Sequence, residues 1–170
     1  MPARYRRAAV LAALAALIAV PALAAEPVAD ARYEGQTSQG ERYRLAFRVA
    51  PDAAHVERLI AQFRTATCEE SEIGTQGTLR IASIAIADGR FATSGKETAR
   101  LRPAGKFEGG KQIERYRIAG HFPDAESARG TLRVRVEIRD RSGATIDNCT
   151  SAKRIAWSAD RLGIIPGQPE

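Results

Sequence analysis

The chain has 170 residues, 26 Lys and Arg against 20 Asp and Glu, two Cys, and an apolar share of 44%. That is material for one ordinary domain with a core, which excludes wholesale disorder. Two cysteines exclude a disulfide-dense scaffold and a Cys-based zinc site.

The first segment reads as an address. Arg4, Arg6 and Arg7 form a positive start, Ala8 to Val20 is an apolar run of 13 residues, and Ala22-Leu23-Ala24 places small residues at the spacing a signal peptidase needs. The run is short for a membrane span, which needs about 20 residues. Residues 1–25 are therefore expected to be a removed signal peptide, and the mature chain to be exported, periplasmic or secreted. Losing three Arg with that segment lowers the net charge from +6 to +3. So mild an excess does not mark a nucleic-acid binder. Cys68 and Cys149 are the only pair the chain can form, and export makes a disulfide the expected state. Closing a loop of about 80 residues is worth about 4–4.5 kcal/mol in the chain-entropy account.

After a short leader over 26–31, the texture is alternation. In Glu41 to Ala50, Tyr43, Leu45, Phe47 and Val49 share one face and Arg42, Arg44 and Arg48 the other, the pattern of a half-buried strand. Ile84 to Ile86 and Arg90 to Thr93 flank Ala87-Asp88-Gly89, a hairpin signal with Gly89 suited to positive φ. In Ile113 to Phe122, Tyr116, Ile118 and Phe122 share a face, with Gly120 as a bulge or close-packing point. Gly130 to Arg139 alternates Leu132, Val134, Val136 and Ile138 with Arg133, Arg135, Glu137 and Arg139. A last strand runs from Arg154 to Ala159 with Ile155 and Trp157 inward. Breakers recur between these runs, among them Gln39-Gly40, Gly109-Gly110, Pro123-Asp124 and Ser142-Gly143. Short strands at such spacing predict an all-β domain over 32–159, an antiparallel β-sandwich with a small β-barrel as the alternative. The Gly- and Pro-containing stretch 160–170 is expected to be a flexible tail.

Several phrases line up along the mature chain. They are Tyr33-Glu34-Gly35-Gln36-Thr37-Ser38-Gln39-Gly40, the lone Cys68, Gly89-Arg90-Phe91, Gly120-His121-Phe122, Gly130-Thr131-Leu132-Arg133, and Cys149 followed by Trp157-Ser158-Ala159. In this order they resemble a set of small exported bacterial β-sandwich proteins to which no activity is assigned. The resemblance covers about Arg32 to Ala159 and implies a fold, a disulfide and an export route, but no catalytic residues. The chain departs from the pattern at Arg58, where Gly is usual, and at Ser151-Ala152-Lys153, a stretch that normally carries a Gly. Trp157, eight residues after Cys149, is placed to cover the disulfide. Asp52 to Cys68 is ambiguous: Val56, Leu59, Ile60 and Phe63 fall at helical spacing, whereas Leu59, Ala61, Phe63, Thr65 and Thr67 alternate. An all-β chain and the resemblance favour a strand running into Cys68.

No catalytic signature emerges. His55 and His121 have no partners that would fix a metal, so no metal site and no cofactor are expected. Glu69-Glu70-Ser71-Glu72 lacks the Gly and ligand spacing of a calcium loop. An enzyme would need a polar cluster, such as paired carboxylates, assembled by folding. The feature that remains is the Arg-rich outer faces: Arg42, Arg44 and Arg48 on one strand, Arg115 and Arg117 on a second, Arg133, Arg135 and Arg139 on a third, with Glu41, Glu114 and Glu137 interleaved. Neighbouring strands would merge these rows into a candidate binding surface. The expected function is a non-enzymatic, monomeric exported module that binds an anionic envelope polymer or a protein partner. The alternative is an inhibitor of a lytic enzyme or protease that presents a loop such as Pro103 to Gly110.

Overall fold

The computed structural model of the chain describes residues 24–65, 67–70, 75–100, 109–151 and 154–163. Almost all of the expected signal peptide, most of the Pro103 to Gly110 loop, Ser71 and Glu72, and the tail from Ile164 lie outside the described residues. All ten elements are strands: β1 Arg32–Thr37, β2 Gly40–Val49, β3 His55–Arg64, β4 Thr67–Cys68, β5 Gln76–Ala87, β6 Arg90–Arg100, β7 Lys111–His121, β8 Ser127–Arg139, β9 Thr145–Thr150 and β10 Ile155–Arg161.

The strands run β10-β1-β2-β3-β5-β6-β7-β8 around an antiparallel sheet, and β10 pairs back onto β8. Eight strands thus close into a barrel, which corrects the expected sandwich in favour of the alternative. The physical reason is β10. One edge pairs with β1, from Tyr33↔Arg161 to Thr37↔Trp157, and the other with β8, from Ile155↔Leu132 to Asp160↔Ser127. A strand paired on both edges joins what would otherwise be two sheets and removes their free edges there. The strand also takes in Asp160 and Arg161, two residues beyond the expected end of the domain. Arg161 is ion-paired to Glu126, and the Leu162 amide donates to Arg32 O.

On the opposite side the closure is partial. β5 and β6 pair only at Ile86↔Phe91 and Ala87↔Arg90. The turn between them holds Asp88 at φ 50° and Gly89 at φ 66°. Two left-handed residues match the twist of the flanking strands, as a two-residue hairpin requires.

The ambiguous segment is strand, and its false helical period has a local cause. Arg58 has φ 51°. One left-handed residue resets the alternation, so Val56 and Leu59 both point inward although they are three residues apart; Ala61 and Phe63 then follow at period two. The position where the resemblance expects Gly is thus one where an L-residue is strained.

The two ends of the barrel are held differently. At the hairpin end, Tyr33 stacks on Phe47 at 5.0 Å, Phe91 on Trp157 at 5.9 Å, and Phe122 meets Phe91 at 5.7 Å. Gly120 and Gly130 make room for this plug. A Cβ on Gly130 would stand 2.0 Å from Ala119 O and 2.4 Å from the Trp157 ring. At the other end β9 continues the sheet beyond β8, β4 pairs with β9, and the Cys68–Cys149 disulfide joins directly opposed residues. Since β4 follows β3, this bond ties the β3 wall to the β8 wall. Trp157 does not cover it. Trp157 pairs with Gly130 and Cys149 with Val136, six residues further along β8, which is about 20 Å of strand.

Two stability outcomes follow. In urea, the Cys68→Ser/Cys149→Ser variant should unfold with about 4 kcal/mol less stability than the oxidised protein. Arg58→Gly should gain about 1 kcal/mol by relieving the left-handed strain.

Candidate functional site

β6, β7 and β8 are long, adjacent and regular, so their register places outward side chains in rungs of three. From one end these are Arg100-Lys111-Arg139, Thr98-Ile113-Glu137, Lys96-Arg115-Arg135, Ser94-Arg117-Arg133, Ala92-Ala119-Thr131 and Arg90-His121-Arg129. The face is about 34 Å long. It carries ten basic residues of the chain and one of its 20 acidic ones, Glu137.

Glu137 neutralises part of one end. Its carboxylate accepts from Arg139 Nε and Thr145 Oγ1, both at 2.8 Å, and lies 3.8 Å from Arg115. The Thr145 and Arg139 hydrogen bonds hold its pKa below the usual carboxylate value. Arg117, Arg133 and Arg135 make no ion pair among the described residues.

The centre of the face is the unusual part. Arg115 stands directly opposite Arg135, and Arg117 directly opposite Arg133. Like charges at directly opposed positions destabilise a sheet. These four arginines, with Thr150 and Ser151, ring a shallow depression of about 290 Å³ whose floor includes Tyr116 and Val134. Ser151 is fixed at its edge: its amide donates to Val134 O at 3.0 Å, and its hydroxyl oxygen accepts from the Val134 amide at 3.3 Å.

The structure brings together Arg115, Arg117, Arg133, Arg135 and Arg139. It does not bring Arg42, Arg44 and Arg48 to them. These three face outward from β2, which lies between β1 and β3 and has neither β7 nor β8 as a neighbour. Arg48 is half-buried and ion-paired with Asp30, Arg42 lines a separate depression of about 210 Å³ with Tyr43 and Gln76, and the Arg44 amide donates to Gln62. Sequence reasoning missed Arg90, Lys96, Arg100, Lys111 and Arg129. Their signal was there for Lys96 and Arg100, which keep the phase of Arg90 along β6. It was masked because the alternating partners are Thr93, Gly95 and Glu97 rather than large apolar residues.

His121 is outward and exposed, as its phase indicated, and His55 is half-buried, 3.8 Å from Asp52. The one cluster of metal-ligand atoms among the described residues is Cys68, Asp147 and Cys149, whose sulfurs are already joined as the disulfide.

Glu114 corrects the expectation of an outward carboxylate. It shares the phase of Tyr116 and Ile118 and is buried on the inner face, opposite Glu97. Gln112 Nε2 donates to Glu114 Oε1 at 2.5 Å. Burial pushes its pKa up, the Gln112 hydrogen bond pulls it down, and Glu97 adds a further upward push. An acid whose folded pKa is raised favours the folded state most when protonated. Its destabilising effect therefore appears as pH rises from the ordinary carboxylate value through the folded one.

Compared with protein-family models, with curated proteins and with solved structures, the chain matches none.

Glu114→Gln should raise stability at pH 7 by about 1 kcal/mol. Urea unfolding at pH 4 and pH 8 should show that gain shrinking at the lower pH.

Proposed function

We propose that this chain is an exported, non-enzymatic β-barrel module that binds an anionic cell-envelope polymer through the outward face of β6, β7 and β8, acting as a monomer. The observation that carries the reading is the pair of opposed arginines, Arg115↔Arg135 and Arg117↔Arg133, at the centre of a long face with one carboxylate. The sheet gains nothing from this arrangement by itself. An anion laid across it converts the repulsion into charge-assisted hydrogen bonds. A surface that is elongated, with only a shallow depression at its centre, suits a polymer better than a compact small molecule, which needs a deep concave site. The disulfide agrees with an oxidising, exported environment. The basic residues Arg4, Arg6 and Arg7 followed by the apolar run Ala8 to Val20 support the same route.

The alternative, a small disulfide-pinned inhibitor of a lytic enzyme or protease, calls for a protruding loop such as Pro103 to Gly110. Residues 103–108 lie outside the described residues, and no other observation favours it. The Glu97–Glu114 pair is the kind of carboxylate pairing an enzyme would use. Glu114, however, is buried and bonded to Gln112, and neither carboxylate lines the depressions described above.

The test is co-sedimentation of the mature domain with purified envelope material at low and high salt. Binding should saturate and fall steeply with salt, as release of counterions requires. Arg115→Gln/Arg133→Gln should lose about tenfold or more in affinity. Arg42→Gln/Arg44→Gln, on the far side of the barrel, should change it little. Glu137→Gln should bind about threefold more tightly, because it removes the one carboxylate of the face. Salt-insensitive binding, or equal losses from both double variants, would contradict the proposal.

A further inference from the structure

The proposed polymer-binding face has internal structure that speaks to the chemistry of its ligand. Its lysines lie at the margins: Lys111 in the end rung and Lys96 on β6, at the edge of the Arg115 rung. On β7 and β8 the centre is arginine alone. Cross-strand partners in a sheet stand about 5 Å apart at Cβ. Two guanidinium planes at that distance can each offer two N–H donors to one tetrahedral oxyanion lying between them. An ammonium at the same place offers a point charge without the fork. A planar carboxylate has two oxygens and fits one guanidinium edge to edge. Its lone pairs lie in one plane, whereas the non-bridging oxygens of a tetrahedral phosphoryl or sulfuryl group, two in a phosphodiester and three in a monoester, also accept out of plane and can meet a fork on either side.

The second arginine pair repeats the first two residues further along the strands, about 7 Å away. The Ser151 hydroxyl oxygen already accepts from the Val134 amide, which leaves its O–H free to donate into the depression. Thr150 adds a second hydroxyl on the same side.

We infer that the four-arginine depression of β7 and β8 is a tandem subsite for phosphoryl or sulfuryl groups, one tetrahedral oxyanion per opposed arginine pair, so that the face selects a polymer bearing such groups about 7 Å apart over a polycarboxylate of equal charge. This rests on the polymer-binding reading and narrows it. The ligand would lie along the strand direction, with one oxyanion between Arg115 and Arg135 and the next between Arg117 and Arg133. The outer rungs, with Arg100, Lys111 and Arg139 at one end and Arg90 and Arg129 at the other, would add only screened attraction, and Lys96 would add its point charge beside Arg115.

The experiment is titration calorimetry of the oxidised mature domain with two probes of matched length and charge, poly-glutamate and inorganic polyphosphate, in which non-adjacent phosphoryl groups of one flexible chain can reach the two arginine pairs. It is repeated on the variant Arg115→Lys/Arg117→Lys/Arg133→Lys/Arg135→Lys, which keeps every charge and removes every fork. A third arm compares envelope material before and after its phosphodiesters are stripped with hydrogen fluoride, which separates a phosphate-bearing source from a sulfated one. The wild type should prefer polyphosphate by about tenfold, and the lysine variant should lose that preference while keeping its salt-dependent binding to envelope material. Equal binding of both probes by the wild type, or an unchanged preference in the lysine variant, would overturn the inference and leave the polymer-binding reading standing. If the wild type binds neither probe nor envelope material, both fall together.

Discussion

Strand β8 is the constraint on which the rest of this molecule depends. Its 13 residues pair along one edge with β7 through eleven consecutive partners. The other edge is shared: the first half pairs with β10 and closes the barrel, and the second half pairs with β9, which carries Cys149. Inner positions of the same strand supply Leu132, Val134, Val136 and Ile138 to the core, and Gly130 gives Trp157 its place. Outer positions supply Arg129, Arg133, Arg135 and Arg139. Closure, core, disulfide placement and surface charge therefore share one register. A one-residue slip would exchange the core face for the cationic one, so the apolar side enforces the arrangement of the charged side.

That coupling explains how the protein tolerates a face it would otherwise disfavour. Opposed like charges weaken a sheet, and water and salt soften the penalty without removing it. The offset comes from elsewhere in the fold: an aromatic plug at one end, a disulfide strap at the other, and strands long enough that no single rung decides the pairing. The cations are also fixed in kind. Arginine stays charged throughout the physiological range, so the charge of the four-arginine centre does not depend on a titrating group. Charge is distributed unevenly over the barrel, which gives an approaching polyanion one preferred side.

Much of this was legible in the sequence, and the failures have physical causes. The Arg133, Arg135 and Arg139 row and the Arg115 and Arg117 row could be read from strict alternation with Leu, Val and Ile. Asp88-Gly89 announced its turn, and the disulfide was expected from two cysteines in a chain that reads as exported. What alternation cannot give is strand order. Arg42, Arg44 and Arg48 have the same outward phase as the others, yet β2 lies elsewhere in the barrel. The choice of barrel over sandwich hung on β10 using both edges, a property invisible in a seven-residue pattern. Glu114 could have been placed correctly, since its phase is that of Tyr116 and Ile118, but its charge invited an outward reading. The helical spacing of Val56, Leu59 and Phe63 was an artefact of Arg58, whose left-handed backbone shifts the phase by one residue.

Whether one face of the barrel, defined by the register of β6, β7 and β8, meets an anionic polymer is read out by amide chemical-shift mapping by NMR on the oxidised mature domain titrated with solubilised envelope polymer at low salt. Shifts should centre on Arg115 to Arg117 and Arg133 to Arg135, fade toward Lys111 and Arg129 and reverse with added salt, with β2 and the depression beside Arg42 and Gln76 unmoved. Shifts centred on β2 or on that depression, with β7 and β8 silent, would rule out binding through this face.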